Sequence, residues 1–468
     1  MIVGRQSRVN SKFRALLFSP IITLTFGYIL GFDVKQIIAL SAFVITVLGA
    51  FLYWQYKLVI AFVSVVILFV MGVIDVETFI KSAEFNIILF LVAISILVAP
   101  LKRVGFFRWF STMILSMCKF NFKWFLLPMS FAAMFFACLM DEVSSIIFMS
   151  TIMLEVAQYF EFNPTLSLLL IIMATNIGSS GTALGNPVGL IIAFEAGLKF
   201  SEFLRWSMPI GILSVAILYW YFTRKRVDYI SSVQSSIDKV ISERGVVLDL
   251  ASLIGDFKKF LMATIIFIFT VIGVASHGYW EHILGLEDGT MLLGFGFLGA
   301  AAALIMYREE AKEIVEGEVD WWSLLFIAFI LGEAGALKYT GVTVKLASMI
   351  MNLTGGSEIL LFTLVSLFTF SLSPFIDNIS IVATLTPIVL SLKTYMDVYP
   401  VWWIMLISAC YAGNITPLGA AANIIALGQL NSMGMNVELK EWIRECTIPT
   451  IIVYGIGFIL LLTQFFLL

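Results

Sequence analysis

The chain has 468 residues, of which 60% are hydrophobic and 13% are charged. A soluble domain is roughly 45–50% apolar and about 25% charged, so most of this surface must face lipid instead of water. The formal net charge is −3, which excludes the strongly basic balance of a nucleic-acid-binding protein. The four cysteines show no CxxC spacing, so neither a zinc site nor a disulfide framework is predicted, and no cofactor is expected.

Continuous apolar segments predict nine membrane-spanning helices, because a crossing needs about 20 apolar residues. These segments are 14–33, 36–53, 57–75, 86–101, 206–222, 260–276, 290–307, 322–338 and 448–467. Basic residues precede the first segment without a small-residue cleavage site, which predicts a retained extra helix behind a cytoplasmic stub, together 1–35.

Two longer apolar regions are interrupted by polar residues. The region 124–197 is broken at Asp141-Glu142 and again at Asn176–Pro187. The region 358–428 is broken at Asp377-Asn378 and again at Asn414–Gly419. Each region is predicted to form a re-entrant hairpin followed by one broken crossing: hairpins at 124–160 and 358–395, and broken helices at 165–197 and 401–428.

Basic residues set the predicted orientation, since cytoplasmic loops are enriched in Lys and Arg. The N-terminus and the segment 223–259 are both basic and should lie inside. An even number of crossings must then separate them. Five continuous crossings and one broken crossing in the first half meet this condition. With four continuous crossings and one broken crossing in the second half, eleven spanning helices are predicted in total. The fold class is therefore an all-α polytopic membrane protein, with a first repeat at 36–222, a solvated cytoplasmic linker with an amphipathic piece at 223–259, and a second repeat at 260–468.

Three matches in the same order support an internal repeat. Leu101-Lys102-x-x-Gly105 recurs as Leu337-Lys338-x-x-Gly341, and Asp141 recurs as Asp377. The third match pairs Thr182-x-Leu184-Gly185 with Thr416-x-Leu418-Gly419. An odd number of crossings separates the copies, so the repeat is inverted, as in many secondary transporters.

Asp141, Glu142 and Asp377 lie in the middle of apolar runs, where carboxylates are costly and face a protein interior or a cavity. Asp141 and Asp377 could simply cap the second arm of each hairpin, but we favour ion binding. Glu333 is either a proton carrier or a residue wetted near a membrane end, and the sequence does not choose between these readings.

The two broken helices combine helix-breaking Gly and Pro with neutral oxygen donors. Unwound backbone offers carbonyls to a cation or N–H groups to an anion. Close helix packing would explain the glycines alone, but not the asparagines beside them. The candidate ion-binding residues are Asp141, Glu142, Ser144, Asn176, Gly178, Thr182, Gly185, Asn186, Asp377, Asn378, Ser380, Asn414, Thr416, Gly419 and Asn423.

Residues 377–387 and 413–423, with the first broken helix, resemble the ion transporter superfamily. That group contains arsenite permeases, D-type sodium/proton antiporters, the P protein, citrate–metal carriers and sodium/dicarboxylate symporters. The resemblance covers roughly 36–467 and implies eleven helices, two hairpins, a homodimer and an elevator-type movement. Many antiporter-like members carry Asp-Asn at both hairpin tips, whereas the first tip here is Asp141-Glu142, and Gly189 stands opposite Asn423.

These features predict a secondary active transporter and not an enzyme. The preferred function is sodium/proton antiport in a prokaryotic inner membrane, with Asp141 and Asp377 as possible sodium ligands and Glu142 as a second proton site. The partners are a small ion and the lipid bilayer. An arsenite, citrate or dicarboxylate permease is the alternative, although no Arg lies in either polar break.

Overall fold

The structure is a computed structural model that describes residues 16, 18–244 and 254–467. These residues form helices and turns, and no β-strand occurs among them. The basic N-terminal residues before the first helix lie outside the described residues. The first half contains α1 (Phe18–Ile29), α2 (Val34–Leu52), α3 (Lys57–Val70), α4 (Val76–Ser82), α5 (Phe85–Arg103), α6 (Phe106–Met117), α7 (Phe122–Met140), α8 (Glu142–Tyr159), α9 (Thr165–Gly178), α10 (Pro187–Ala196), α11 (Phe200–Lys225) and α12 (Val227–Arg244).

The second half repeats this alternation of long and short helices. It contains α13 (Phe257–Ala275), α14 (His277–Leu284), α15 (Thr290–Met306), α16 (Ala311–Gly317), α17 (Trp321–Tyr339), α18 (Val342–Thr354), α19 (Glu358–Leu372), α20 (Asn378–Leu392), α21 (Tyr399–Ala412), α22 (Ala421–Ser432) and α23 (Leu439–Phe466). Short 3₁₀ turns lie at Trp54–Tyr56 and Gly413–Ile415.

The nine predicted continuous crossings correspond to α1, α2, α3, α5, α11, α13, α15, α17 and α23. By length and composition, seven described helices can cross a membrane: α2, α5, α7, α11, α13, α17 and α23. The other apolar helices are shorter; among the short helices, α9 and α10 share one broken crossing and α21 and α22 share another. The polytopic helical fold that the sequence predicts is confirmed.

Polar contacts divide the loops between two faces of the molecule. Lys102 Nζ lies 2.6 Å from Glu318 Oε2, and Arg226 pairs with Glu445. The first contact joins the end of α5 to the turn before α17, and the second joins the end of α11 to the start of α23. We call the face that carries these helix ends the linker face, because α12 follows α11 there. On the opposite face, Tyr399 Oη donates to Glu202 Oε1 over 2.7 Å.

Both hairpins return to the face from which they start. The first hairpin, α7 and α8, has its two ends against α12: Phe122 N donates to Gln234 Oε1 (2.8 Å), and Tyr229 Oη donates to the Asn163 carbonyl (2.8 Å). The second hairpin, α19 and α20, has its ends joined on the opposite face. There, Asp397 N donates to Glu358 Oε1 (3.2 Å). The hairpins therefore enter from opposite faces, as an inverted repeat requires.

The broken crossings form the centre of the molecule. Every residue of α9 from Ser167 onward is buried, as is every residue of α21 from Pro400 onward. Helices that are apolar on all sides belong in such interiors. The two hairpins, α10, α11, α22 and α23 pack around these cores, and we call this assembly the inner bundle. Apart from α1, the remaining crossings form an outer group that meets it chiefly along α20 and α10: α2, α3, α5, α13, α15 and α17.

Part of the segment 223–259 forms the helix α12, in which Val233, Ile237 and Val240 are buried, in keeping with the amphipathic piece expected within this linker. One expectation needs correction. Glu333 is 0% exposed and accepts a 2.9 Å hydrogen bond from Thr46 Oγ1. The reading of Glu333 as a wetted residue near a membrane end is therefore wrong.

Candidate functional site

Asp141 forms the tip of the first hairpin, between α7 and α8. Its Oδ1 accepts hydrogen bonds from the backbone N–H groups of Val143 (2.8 Å) and Ser144 (2.9 Å), which caps α8. Its backbone lies at φ 81° and ψ 154°, a region that L-residues rarely adopt and that costs about 1–3 kcal/mol. Such strain is concentrated at ligand-binding sites and moving segments.

Asp377 forms the tip of the second hairpin but caps α20 less completely. It is 4% exposed, and its Oδ2 has no hydrogen-bond partner among the described residues. Asn378 and Ser380 follow on α20, and both are buried with side-chain oxygens that likewise lack a partner there. This tip therefore presents several buried oxygens that the protein itself does not satisfy, which is costly unless another group does so.

An asparagine network joins the two broken crossings. Asn176 Nδ2, on α9, donates to Asn414 Oδ1 and to Asn423 Oδ1, each over 2.8 Å. Asn423 Nδ2 in turn donates to the carbonyls of Gly413 (2.8 Å) and Thr416 (2.9 Å). These bonds satisfy carbonyls that the break between α21 and α22 exposes. Asn176 Oδ1 is left buried and without a partner in the described chain.

Two threonines make the same contact in the two repeats. Thr182 donates to the Cys138 carbonyl, and Thr416 donates to the Pro374 carbonyl. Each acceptor lies three residues before the tip aspartate of its hairpin. Each threonine therefore ties the break in its crossing to the end of the first hairpin arm, and the internal repeat extends to individual hydrogen bonds.

Asn186 links Glu142 to the first break. Asn186 Nδ2 lies 3.5 Å from Glu142 Oε2 and donates to Ser179 Oγ over 3.0 Å. Asn186 Oδ1 accepts from Gly189 N over 2.8 Å and so caps α10. Glu142 also lies within electrostatic range of Asp377 and Asp141, so the hairpin tips bring three carboxyl groups into one region.

The three candidate glycines permit close backbone approach. A Cβ on Gly178 would stand 2.6 Å from Met134 Cα, and one on Gly185 would stand 2.3 Å from the Ser179 carbonyl oxygen. A Cβ on Gly419 would stand 2.5 Å from the carbonyl oxygen of Gly413. Their observed contribution is to packing: Gly178 brings the first broken crossing against the hairpin arm α7, whereas Gly185 and Gly419 allow the backbone of each break to fold closely on itself.

One cavity of about 100 Å³ holds the hairpin tips. Asp141, Glu142, Ser144 and Asp377 line it. The cavity also reaches Trp54, Glu318 and Asp320, which lie in turns of the linker face. The tips are thus closest to the linker face in this conformation. The other candidate residues do not line this cavity; Asn378 and Ser380 are buried on α20 next to the tip, and the rest lie at the two breaks described above.

Lys57 is a cavity-lining residue that sequence reasoning missed. It lines the same cavity from α3 and is 2% exposed. Its Nζ lies 4.1 Å from the ring centroid of Trp54 and 4.8 Å from that of Phe326. A lysine at the start of an apolar run looks like an ordinary helix end, and the available signal was its place immediately after Trp54-Gln-Tyr.

A larger groove of about 410 Å³ lies toward the opposite face, at the far end of α20. Glu84, Lys81 and Lys338 line it from the outer group, whereas Glu195 and Thr386 line it from the inner bundle. Burial, followed by the nearby Glu195 charge, raises the pKa of Glu84, in the turn before α5, to about 7. The two cavities therefore flank the seam between the outer group and the inner bundle.

The inverted hairpins, the broken central helices and the buried polar site define a secondary-transporter class of membrane protein. Comparison with known families agrees with this class. The CitMHS family, described as "Citrate transporter", matches residues 40–353 and 334–468. The chain belongs to this family, and hence to the ion transporter superfamily that its motifs resemble.

Individual relatives are similar along most of the chain. An uncharacterized transporter of Mycobacterium tuberculosis is 25% identical over 389 residues, which cover 82% of this chain and 87% of the relative. The 46 kDa membrane protein of Mycobacterium leprae is 27% identical over 375 residues, covering 79% and 84%. The human P protein is 23% identical over 432 residues, covering 77% of this chain and 51% of the relative.

Proposed function

We propose that this protein is a secondary active transporter that exchanges a small cation, sodium in the first instance, for protons. The observation that carries the proposal is the set of buried, unpartnered oxygens on Asp377, Asn378 and Asn176. These oxygens accompany three carboxyl groups, two of them at the hairpin tips of an inverted repeat. Oxygen atoms are the ligands that hard cations prefer.

The chemistry of exchange follows from placing carboxylates at low dielectric. A charged carboxylate there is costly alone. The negative charge of Asp377 and its neighbours is therefore best neutralised, either by a bound cation or by a proton. The carrier is then loaded with one ion or the other, which couples the two fluxes. Asp141 and Asp377 are the proposed cation ligands, and Glu142 is the second proton site.

Alternating access in this proposal comes from movement of the inner bundle against the outer group. The hairpins and broken crossings carry the ion past the seam in an elevator-type displacement. The linker face is assigned to the cytoplasm because 223–259 is rich in Lys and Arg. We place the protein in a prokaryotic inner membrane as a homodimer, without a cofactor and without catalytic activity.

Flux into proteoliposomes tests the proposal. Vesicles with a trapped pH dye receive a sodium jump, and parallel samples receive potassium or citrate. We expect proton movement opposite to sodium, with little response to potassium at equal concentration. Absence of sodium-dependent proton movement, with citrate accumulation in the parallel sample, would overturn the antiport assignment.

A second candidate is an anion permease for citrate or, more broadly, dicarboxylate or arsenite. One specific observation favours citrate: the buried Lys57 ammonium shares a cavity with the hairpin tips, and the matching family carries the citrate description. An ammonium group is a suitable ligand for a carboxylate substrate. In this candidate, replacement of Lys57 by Gln should weaken citrate uptake.

A further inference from the structure

Lys57 is a buried cation without a matching ion pair. No carboxylate oxygen lies within 4 Å of its Nζ in the part of the chain that the structure describes. Its Nζ donates a long hydrogen bond to Ser323 Oγ over 3.5 Å. The Trp54 and Phe326 rings stabilise the ammonium in part, but a buried charge still requires an opposite charge.

The opposite charge lies across the cavity. Lys57 interacts electrostatically first with Asp377 and then with Asp320. Asp377 Oδ2 is buried and has no hydrogen-bond partner in the described residues, so this oxygen remains available. The Lys57 ammonium and this Asp377 oxygen, neither of them paired with an opposite charge or donor among the described residues, therefore line one cavity.

The two charges belong to different parts of the fold. Lys57 is on α3, which packs against α2 and α17 of the outer group. Asp377 opens α20, which packs against α10 and α21 of the inner bundle and meets the outer group along α17. In the proposed function, movement of the bundle against the outer group would change the distance between these charges.

Resting on the function proposed above, we propose that Lys57 is a built-in counter-cation for Asp377. When the transported cation has left, the ammonium offsets the carboxylate charge in the conformation that opens toward the linker face. When a cation binds Asp377, the two positive charges oppose each other. Lys57 thus acts as a positioning residue that weakens cation binding on this side and promotes release.

The inference predicts the sign of a change in affinity. Lys57→Gln removes the competing charge and keeps much of the side-chain volume. The KM for sodium on the linker-face side should fall by about tenfold, since a charge pair across such a cavity at an effective dielectric near 20 is worth a small multiple of RT. Lys57→Arg keeps the charge and should restore a KM close to that of the wild type.

Asp320 supplies a second variant that does not depend on Lys57→Gln folding well. Asp320 Oδ1 caps α17 by accepting from Ser323 N over 3.1 Å, and Asn caps about equally well. Asp320→Asn removes the second carboxylate that offsets the Lys57 charge. The ammonium then opposes a cation at Asp377 more strongly, so the KM for sodium should rise. In a Lys57→Gln background the same substitution should have much less effect, which a double-mutant cycle measures.

The experiment is sodium-driven proton flux in vesicles with known protein orientation, with Lys312→Gln as the matched control. Lys312 is an exposed lysine on α16 that pairs with Glu316. A lower sodium KM in Lys57→Gln, with the control unchanged, supports the inference. An unchanged or higher KM, or equal effects of Asp320→Asn in both backgrounds, overturns it. If the wild type moves no protons with sodium but takes up citrate in a Lys57-dependent manner, the proposed function itself fails.

Discussion

Asp141 and Asp377 occupy equivalent positions in the two repeats but are held differently. Asp141 accepts two backbone hydrogen bonds and caps α8, in a strained backbone conformation. Asp377 keeps a buried oxygen without a partner in the described chain. The first carboxylate is therefore partly engaged in structure, whereas the second is the more available ligand.

Replacement of Asp377 by Asn should abolish sodium binding while leaving the fold intact. Asn is nearly isosteric and removes the charge that holds the cation. Sodium at about ten times its Kd should add about 1.4 kcal/mol to the stability of the wild type, measured as a higher melting temperature in detergent. The variant should show no sodium-dependent shift. A shift of wild-type size in Asp377→Asn would remove this residue from the site.

Replacement of Asn176 by Ala should destabilise the inner bundle. It removes both bonds to Asn414 and Asn423, and each buried group left unpaired costs about 1–3 kcal/mol. We expect a loss of about 2–4 kcal/mol, measured by thermal unfolding. Asn352→Ala, at an exposed position on α18, is the control and should change stability by less than about 0.5 kcal/mol. Equal melting temperatures for all three proteins would show that the network contributes nothing.

At the scale of elements, the broken crossings depend on close backbone contact. Gly178→Ala would place a Cβ 2.6 Å from Met134 Cα on α7, where only backbone movement provides room. Overpacking of this kind costs about 1–3 kcal/mol or more, so we expect lower stability and slower transport. Stability is measured by thermal unfolding of the purified protein, and the transport rate is measured in vesicles.

Gly428→Ala is the matched control for that prediction. Gly428 is also helical, on α22, and nothing lies within 4 Å of a Cβ built there. Ala is favoured over Gly in a helix by about 1 kcal/mol, so this variant should be neutral or slightly stabilised. Similar losses in both variants would mean that helix flexibility, and not the contact with Met134, is the important property.

The elements themselves were largely predictable from the sequence. Hydropathy and the Gly, Pro and Asp interruptions located the continuous crossings, both hairpins and both breaks, within a few residues in most cases. The start of α23 is an exception: it begins at Leu439 instead of 448, because charged residues lower the hydropathy of its first turns. An amphipathic piece was expected within 223–259, but its pattern alone did not show that α12 would pack against α7 and α11.

The candidate site was predictable only in part. Residues at the breaks were identified because polar groups are conspicuous in an apolar run. Lys57 was not, because it stands at the edge of such a run, and only the packing of α3 against α17 brings it to the cavity. The burial of Glu333 was also beyond the sequence, since it depends on α2 supplying Thr46.

At the scale of the whole molecule, the groove on the opposite face brings Glu84 of the outer group toward Glu195 of the inner bundle. The positive charge of Lys338 acts on Glu84 against the effect of the Glu195 charge. Lys81 also lines the groove, but its Nζ pairs with Glu77 Oε1 over 2.7 Å. Because the pKa of Glu84 is raised to about 7, the folded protein binds a proton there more tightly than the unfolded chain does.

This linkage predicts a pH dependence of stability. The contribution of Glu84 is fully present below the ordinary carboxyl pKa and is lost as pH rises through about 7. The melting temperature should fall between about pH 4.5 and about pH 7 and level off above that, and Glu84→Gln should reduce that fall. Glu309→Gln, on the exposed turn before α16, should retain the wild-type profile. A Glu84→Gln profile that matches the wild type would contradict the assignment of the proton to this groove.

The central claim is that one ion-loaded site at the hairpin tips exchanges a small cation for protons. Radioactive sodium uptake and internal pH, recorded together in the same proteoliposomes under an outward proton gradient, test it most directly. We predict uptake of sodium above its equilibrium level with matching loss of internal protons, and neither signal in Asp377→Asn. Sodium entry without proton loss, or full exchange in that variant, would contradict the account.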